Sequence, residues 1–214
     1  MKTAADFFTT QQKQQIETAV KAAEAKTSGE IVPMVVDSSY EYPRAELIGG
    51  GTLALAAAAL VSWAIGGESI WWFIPVFITG FFLFQQLIRN LPDLKRKLIR
   101  PEELTEEVKE KALVSFLQQE LHQTRDRTGI LILISLFERR VQVLADSGIN
   151  AKVPEQTWDE IVTIITTGLK SDDACAAVCK AVERCGELLT EHFPIKEDDT
   201  DELPNLIIEE KNRS

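Results

Sequence analysis

Acidic and basic side chains stand at the expected ends of apolar runs in this 214-residue chain, and their types and spacing could do chemistry. Glu30 opens one run, Arg127 stands just before a second, and Asp146 closes a third. With His122, Arg125 and Asp126 close in sequence, one sheet edge would collect a metal or phosphate site. Glu30 and Asp146 would hold a divalent cation, and Arg127 or His122 would contact a phosphate. The plainer use of the same residues is a partly exposed salt-bridge network that pins strand ends. The opposite edge offers a second metal pair, Asp37 and Glu138, beside Ser38, Ser135, Arg139 and Arg140. In open α/β sheets the C-terminal ends of parallel strands are the usual ligand crevice. A solvated turn is the plainer reading there.

Recognised catalytic spacings are absent: the sequence holds no Walker loop, G-x-S-x-G, H-E-x-x-H or zinc-ligand pattern. Cys175, Cys179 and Cys185 fall in one expected helix. An odd number so close together argues for reduced core thiols rather than a disulfide framework. Cys175 and Cys179 share a helix face, but no third ligand accompanies them.

The elements that must position these residues follow from periodicity. Thr9 to Lys26 reads as a helix, with Thr9-x-x-Gln12 resembling a capping box. Glu30–Val36 reads as a strand, and Pro33 suggests an edge or a bulge. Glu102 to Gln123 predicts a second amphipathic helix with Val108, Ala112, Leu113, Phe116, Leu117 and Leu121 inward. Ile130–Ile134 is a continuous apolar run suited to a buried central strand. Arg140–Ala145 alternates as a half-buried strand paired antiparallel with it. Pro154 opens a third helix to about Thr167, and Ser171 caps a fourth to about Glu191. A helix between two strands favours a parallel crossover. The expected fold is therefore α/β, a small mixed sheet flanked by helices.

That domain is interrupted. Ile48 to Ile65 is eighteen residues without a charge, and Ile70 to Ile88 is nineteen. A helix needs about 20 residues to cross a ~30 Å hydrocarbon core, so the pair reads as an inserted two-helix transmembrane hairpin reversing at Gly66–Ser69. Trp63, Trp71 and Trp72 surround the turn as membrane-interface residues. Gly50, Ala54, Ala58 and Ser62 form a small-residue stripe for close approach of the second helix, with Phe73, Phe77 and Phe81 as its packing partners. Arg44 precedes the hairpin, and Arg89, Lys95, Arg96, Lys97 and Arg100 follow it, while the turn has no basic residue. The positive-inside rule puts both termini and the α/β domain in the cytoplasm, with two spans in a bacterial inner membrane. The basic cluster would also attract anionic headgroups. No signal peptide precedes the hairpin, so its first helix would serve as the insertion signal.

The resulting organisation is a discontinuous domain over residues 1–47 and 89–195, a hairpin over 48–88, and an acidic mobile tail over 196–214. A net charge of −10 excludes a nucleic-acid partner. The partners expected are the lipid bilayer and membrane proteins or further copies of the chain.

Three stretches together resemble a known family. Thr27–Val32, Arg127–Ser135 and Glu138–Ile149 are similar to the TPM domain, in its bacterial membrane-protein branch with a hairpin after the first strand. The similarity runs from about Phe7 to Phe193. It implies an α/β sandwich. Relatives have been described as acid phosphatases, as calcium binders, and as assembly or repair factors for membrane complexes. The resemblance therefore implies a binding or assembly module with a Ca or Mg ion, or alternatively a metal-dependent phosphomonoesterase. Family members often face the extracytoplasmic side or a thylakoid lumen, whereas the basic residues here place the domain inside.

Overall fold

The computed structural model of the protein describes residues 2–65, 70–154, 156–195 and 203–210. The expected turn at Gly66–Ser69 lies outside the described residues, as does most of the acidic segment after Ile195. The chain divides into two compact units: Tyr40–Leu104, and Lys2–Ser39 with Thr105 onward.

The second unit holds the sheet. After a short helix α1 (Ala4–Phe7), helix α2 (Thr10–Glu24) begins at Thr9. The expected capping box is present: Thr9 Oγ1 accepts from Gln12 N, and Gln12 Oε1 accepts from Thr9 N. Strand β1 (Glu30–Val36) is buried throughout, and β2 (Gly129–Ser135) lies parallel to it, Glu30 opposite Gly129 and Val36 opposite Ser135. Strand β3 (Arg140–Ala145) runs antiparallel to β2 and alternates between buried and half-buried residues. The crossover ends in helix α6 (Pro101–Gln118) and a 3-10 turn at Leu121–Gln123. Helices α7 (Ser147–Asn150), α8 (Gln156–Lys170) and α9 (Ala174–His192) follow.

A core forms on each face of the sheet. Ile31, Val35, Ile130, Ile132 and Ile134 pack with α2, α8 and α9 residues such as Ile16, Ile161 and Val182. Val32, Met34, Leu131 and Leu133 pack with Val108, Ala112 and Phe116 of α6. Each wholly buried Leu or Ile contributes roughly 1.5–3 kcal/mol, so the continuous apolar run of β2 is the natural centre.

Four expectations need correcting. The sheet order is β3-β2-β1-β4, with β4 (Ile207–Glu209) parallel to β1. The final residues thus contribute a strand where a mobile tail is expected, because Leu203 and Ile207 pack on one core face and Leu206 and Ile208 on the other. Strand β1 is consequently interior. Pro33 is tolerated because β4 pairs only with Met34–Val36, so no ladder bond is lost at Pro33 on that side. In α6 the inward stripe is Val108, Ala112 and Phe116, while Leu113 and Leu117 are 52% and 50% exposed. One helix face meets the sheet, and residues 113 and 117 lie a step around the helix from it. Finally, Asp173 rather than Ser171 precedes the last helix; Ser171 Oγ instead donates to Thr167 O and Gly168 O at the end of α8.

The first unit contains α3 (Pro43–Ala64) and α4 (Ile70–Asn90), packed against each other, then α5 (Pro92–Lys97). Both long helices have the length and apolar character to cross a membrane. Gly50, Ala54 and Ala58 are buried as the small stripe predicts. A side chain at Gly50 would meet the backbone of Gln85 at 3.0 Å, and Gly80 lies against Ala54. The close partners on α4 are thus Gly80, Gln85 and Ile88, with Phe81 near Gly51. Phe73, Phe77 and Phe81 stack along α4, with ring centroids 6.4 and 6.3 Å apart.

Candidate functional site

The sheet presents two polar ends. At the N-terminal end of the parallel strands, Glu30 and Asp146 lie on opposite sides of Gly129: Glu30 pairs with it across β1–β2, and Asp146 N donates to Gly129 O at 2.9 Å. Laterally adjacent residues point to the same face, so both carboxylates leave the sheet on the side of α6. Between them stands backbone. A Cβ on Gly129 would come within 2.6 Å of Leu121 O, so the 3-10 turn sits directly on that glycine. With strands about 4.8 Å apart, the two Cα atoms are two strand spacings, roughly 10 Å, from each other.

Asp146 caps α7, its Oδ1 accepting from Ser147 N at 2.5 Å and Ser147 Oγ at 3.0 Å. Its Oδ2 is buried without a hydrogen-bond partner. His122 lies in the 3-10 turn with its Nδ1 likewise buried and without one. Arg127 is exposed, in a left-handed backbone conformation (φ 55°) one residue before buried Thr128. Thr128 Oγ1 donates to Ser28 O at 2.9 Å and Thr124 Oγ1 accepts from Thr128 N at 3.0 Å, which fixes the entry to β2.

At the C-terminal end the polar groups do converge. Ser135 ends β2 and is 1% exposed, and Glu138 in the following turn is 4% exposed. Glu138 Oε2 accepts from Ser135 Oγ, and Oε1 accepts from Ser39 N at 3.0 Å. Ser39 Oγ donates to Ser135 Oγ at 3.1 Å. Asp37, just past β1, accepts from Ala4 N through Oδ1 at 2.5 Å and so ties down α1. Backbone bonds Leu136 N to Val36 O and Phe137 N to Asp37 O extend the parallel pairing into this turn. Asp37 is half-buried and Glu138 buried; Glu138 is stable there because both oxygens receive donors.

This arrangement can hold charge but not turn over a substrate through Ser135. A serine hydroxyl beside a carboxylate resembles a nucleophile with its base, yet at 1% exposure no substrate reaches it. Among the described residues no three His, Cys, Asp or Glu side chains group as a metal centre. Two surface clefts of this unit lie elsewhere. One separates α2 from α9, between Lys26 and Glu187, and the other follows the outer edge of β3 past Trp158 and Asn150. Sequence reasoning named Asp37 and Glu138 but missed Ser39, whose backbone N–H is the decisive donor. Its position two residues beyond Asp37, at the mouth of β1, is the available signal.

The cysteines carry no chemistry. Cys175 and Cys185 are buried and all three thiols are free. Burial pushes Cys185 up to about 12 and Cys179 to about 11, and raises Cys175 as well. Such thiols are protonated and inert at neutral pH. Trp63 and Trp71, each 81% exposed, and Trp72 stand at the ends of α3 and α4 that face the undescribed turn.

Comparison with known proteins adds a family match over part of the chain and a similar fold. Residues 90–188 match the family model of the TPM domain. A similar solved structure is the NMR structure of BA42 protein from the psychrophilic bacterium Bizionia argentinensis. The likeness has a TM-score of 0.58 at 21% identity and covers 96% of each chain. That identity speaks for the fold alone. Among the curated proteins searched, none matches the chain significantly.

Proposed function

We propose, from the match of residues 90–188 to the TPM domain family model, that the chain is a membrane-anchored TPM-domain protein acting as a binding or assembly module for membrane proteins. The observation that carries the anchor is the surface of α4. Its most apolar stretch has no buried residue, and Ile74, Ile78, Phe82 and Leu83 all face outward. A core helix of a water-soluble domain would bury such a face, and in lipid no burial is needed. The basic residues that follow α4, against none in the expected turn, support two spans with both termini and the TPM domain cytoplasmic in a bacterial inner membrane.

A binding role, rather than catalysis, is supported by the state of the carboxylates. Glu138 and Asp37 engage donors of the fold itself, and Asp146 caps a helix. These are residues that hold the strand ends and helix starts in place. A Ca or Mg ion would have to compete with those donors at Asp37 and Glu138, or use Glu30 and Asp146 at the other end of the sheet. Alkaline carbonate treatment of membranes containing the full chain tests the anchor, with retention in the pellet expected. A single Cys at Ser69, in a background lacking the three native cysteines, should react with an impermeant thiol reagent from outside; reaction at Ser38 instead reverses the topology. Phosphomonoester hydrolysis by wild type but not by Asp146→Ala, with added Ca or Mg, refutes the binding reading in favour of a phosphatase.

A further inference from the structure

The segment after α4 does more than carry positive charge. Helix α5 and its flanks, Leu91–Arg100, divide into three faces. Along the helix and its C-terminal cap, Leu94 and Leu98 fall on one side at i, i+4, and Leu91 immediately precedes the helix. All three are exposed, Leu98 at 47%. Arg96 and Lys97 occupy the side away from them, with Arg96 also 3.6 Å from Asp93, and Arg100 follows as an exposed residue beyond the helix. Lys95 and Ile99 fill the remaining sector and are buried.

Lys95 explains how this orientation is held. Its ammonium donates to Glu46 Oε1 and to Glu41 O, both at 2.5 Å, so one cation of the cluster is spent on the root of α3. Leu98 is held at a defined level of the hairpin. A Cβ on Gly49 would lie 2.7 Å from Leu98 Cδ1 and 2.7 Å from Ile88 Cδ1. Gly49 lies at the start of the uncharged run of α3, and Ile88 ends that of α4. The leucine face therefore stands beside the place where both apolar runs stop, and the ion pair of Lys95 and Glu46 lies just past it. An apolar face with cations opposite, at the boundary of a membrane span, has the chemistry of a helix lying in the headgroup region.

We propose that Leu91–Arg100 is an interfacial collar. Leu91, Leu94 and Leu98 enter the acyl boundary of the bilayer, and Arg96, Lys97 and Arg100 hold anionic lipid headgroups. The inference rests on the anchor reading above. Its occupant is the bilayer surface, because the stripe is continuous with the spans and the exposed charge is of the sign anionic lipid requires.

The test uses the full chain in vesicles of phosphatidylcholine, with and without phosphatidylglycerol. In a cysteine-free background, an environment-sensitive fluorophore goes on a single Cys at Leu94 or, as a control, at Asp93; both positions are exposed, and a change at Asp93 removes the ion pair to Arg96 without touching the leucine face. The Leu94 probe should emit at shorter wavelength and be quenched by acyl-chain spin labels, while the Asp93 probe behaves as in water. Spin-labelled lipid should show a preference for phosphatidylglycerol of about five-fold for each engaged cation. That preference should disappear in Arg96→Gln/Lys97→Gln/Arg100→Gln. Release of the protein by alkaline carbonate overturns the anchor and the collar with it. Retention with a Leu94 probe as wet as the Asp93 probe, or with no lipid preference, overturns the collar alone.

Discussion

Replacing Glu138 tests whether the strand-end cluster is a structural clasp. Its two oxygens accept from Ser135 Oγ and Ser39 N in a setting only 4% exposed. In Glu138→Ala both acceptors vanish, Ser39 N loses this partner, and a cavity remains. Hydrogen bonds to a charged group are worth about 1.5–3 kcal/mol, and Ser135 Oγ keeps its contact with Ser39 Oγ, so the loss is about 2–4 kcal/mol. For a domain of this size each kcal/mol moves the melting temperature by about 3–4 °C, giving a fall of about 7–14 °C. Glu138→Gln retains an acceptor for Ser39 N and a group that Ser135 can meet, and should cost about 1 kcal/mol. Thermal unfolding of the full chain in detergent, followed by near-ultraviolet circular dichroism, measures both. A Glu138→Ala protein melting within about 2 °C of wild type refutes the clasp. Calcium added to the same samples asks the functional question. A ligand that binds only the folded state raises the melting temperature, so a rise in wild type that is absent in Glu138→Ala locates the ion at this turn.

Three further outcomes follow from other contacts. Ala54→Cys with Gly80→Cys should form a disulfide, because the Cβ positions are 3.5 Å apart; adding Gly50→Leu, which collides with the Gln85 backbone, should lower the yield on a non-reducing gel. Ending the chain after Glu202 should lower stability by about 2 kcal/mol and promote aggregation in light-scattering measurements, since β1 loses its cover at Met34–Val36. The Cys185 thiol, raised from 9.0 to about 12, is protonated in the folded chain at pH values where it ionises in the unfolded one. Its contribution is full below about pH 9 and lost as pH rises towards 12, with an upper limit of roughly 4 kcal/mol. Urea unfolding at pH 8 and pH 11 should show a steeper decline for wild type than for Cys185→Ala.

The central sheet was legible because local and global signals agree there. Glu30–Val36 has the expected bounds, and the run Ile130–Leu-Ile-Leu-Ile134 is apolar on both faces, as only a strand covered twice can be. Thr9 and Gln12 announced their capping box by spacing alone. What escaped depends on distant partners. Three residues of β4 in an acidic context carry almost no strand signal, and their worth comes from β1, some 170 residues earlier. Helix α5 is short because Leu91 precedes Pro92, which pushes it out of helical geometry (φ −114°, ψ 82°). The candidate sites split in the same way. Topology alone put Asp37 and Glu138 at one strand end and Glu30 and Asp146 at the other. That Asp37 would hold Ala4, or that the Leu121 carbonyl would lie over Gly129 between Glu30 and Asp146, depended on how remote segments return to the sheet.

Insertion of the hairpin between β1 and its partners raises a question of folding order that magnitudes can decide. Strand β1 ends at Val36 and β2 begins at Gly129, so 129 − 36 − 1 = 92 residues must be closed into a loop. A flexible loop of that length costs about 4 kcal/mol by the logarithmic rule. Folding α3 against α4 first brings Pro43 near Asn90 and halves the effective length, which recovers only about 0.6 kcal/mol. Loop entropy is therefore too weak to make hairpin formation a precondition for the sheet. Exposed surface is the stronger term. Until α3 and α4 are sequestered, outward residues such as Leu60, Ile78, Phe82 and Leu83 compete with Ile31, Val35 and Ile132 for the same apolar contacts. At roughly 1.5–3 kcal/mol per large side chain, two misplaced contacts outweigh the entropic saving several-fold. On the anchor reading proposed above, the coupling between insertion and folding of the sheet runs through removal of a competing apolar surface, and a charge placed at Ala58 should impair the sheet by releasing that surface rather than by lengthening a loop.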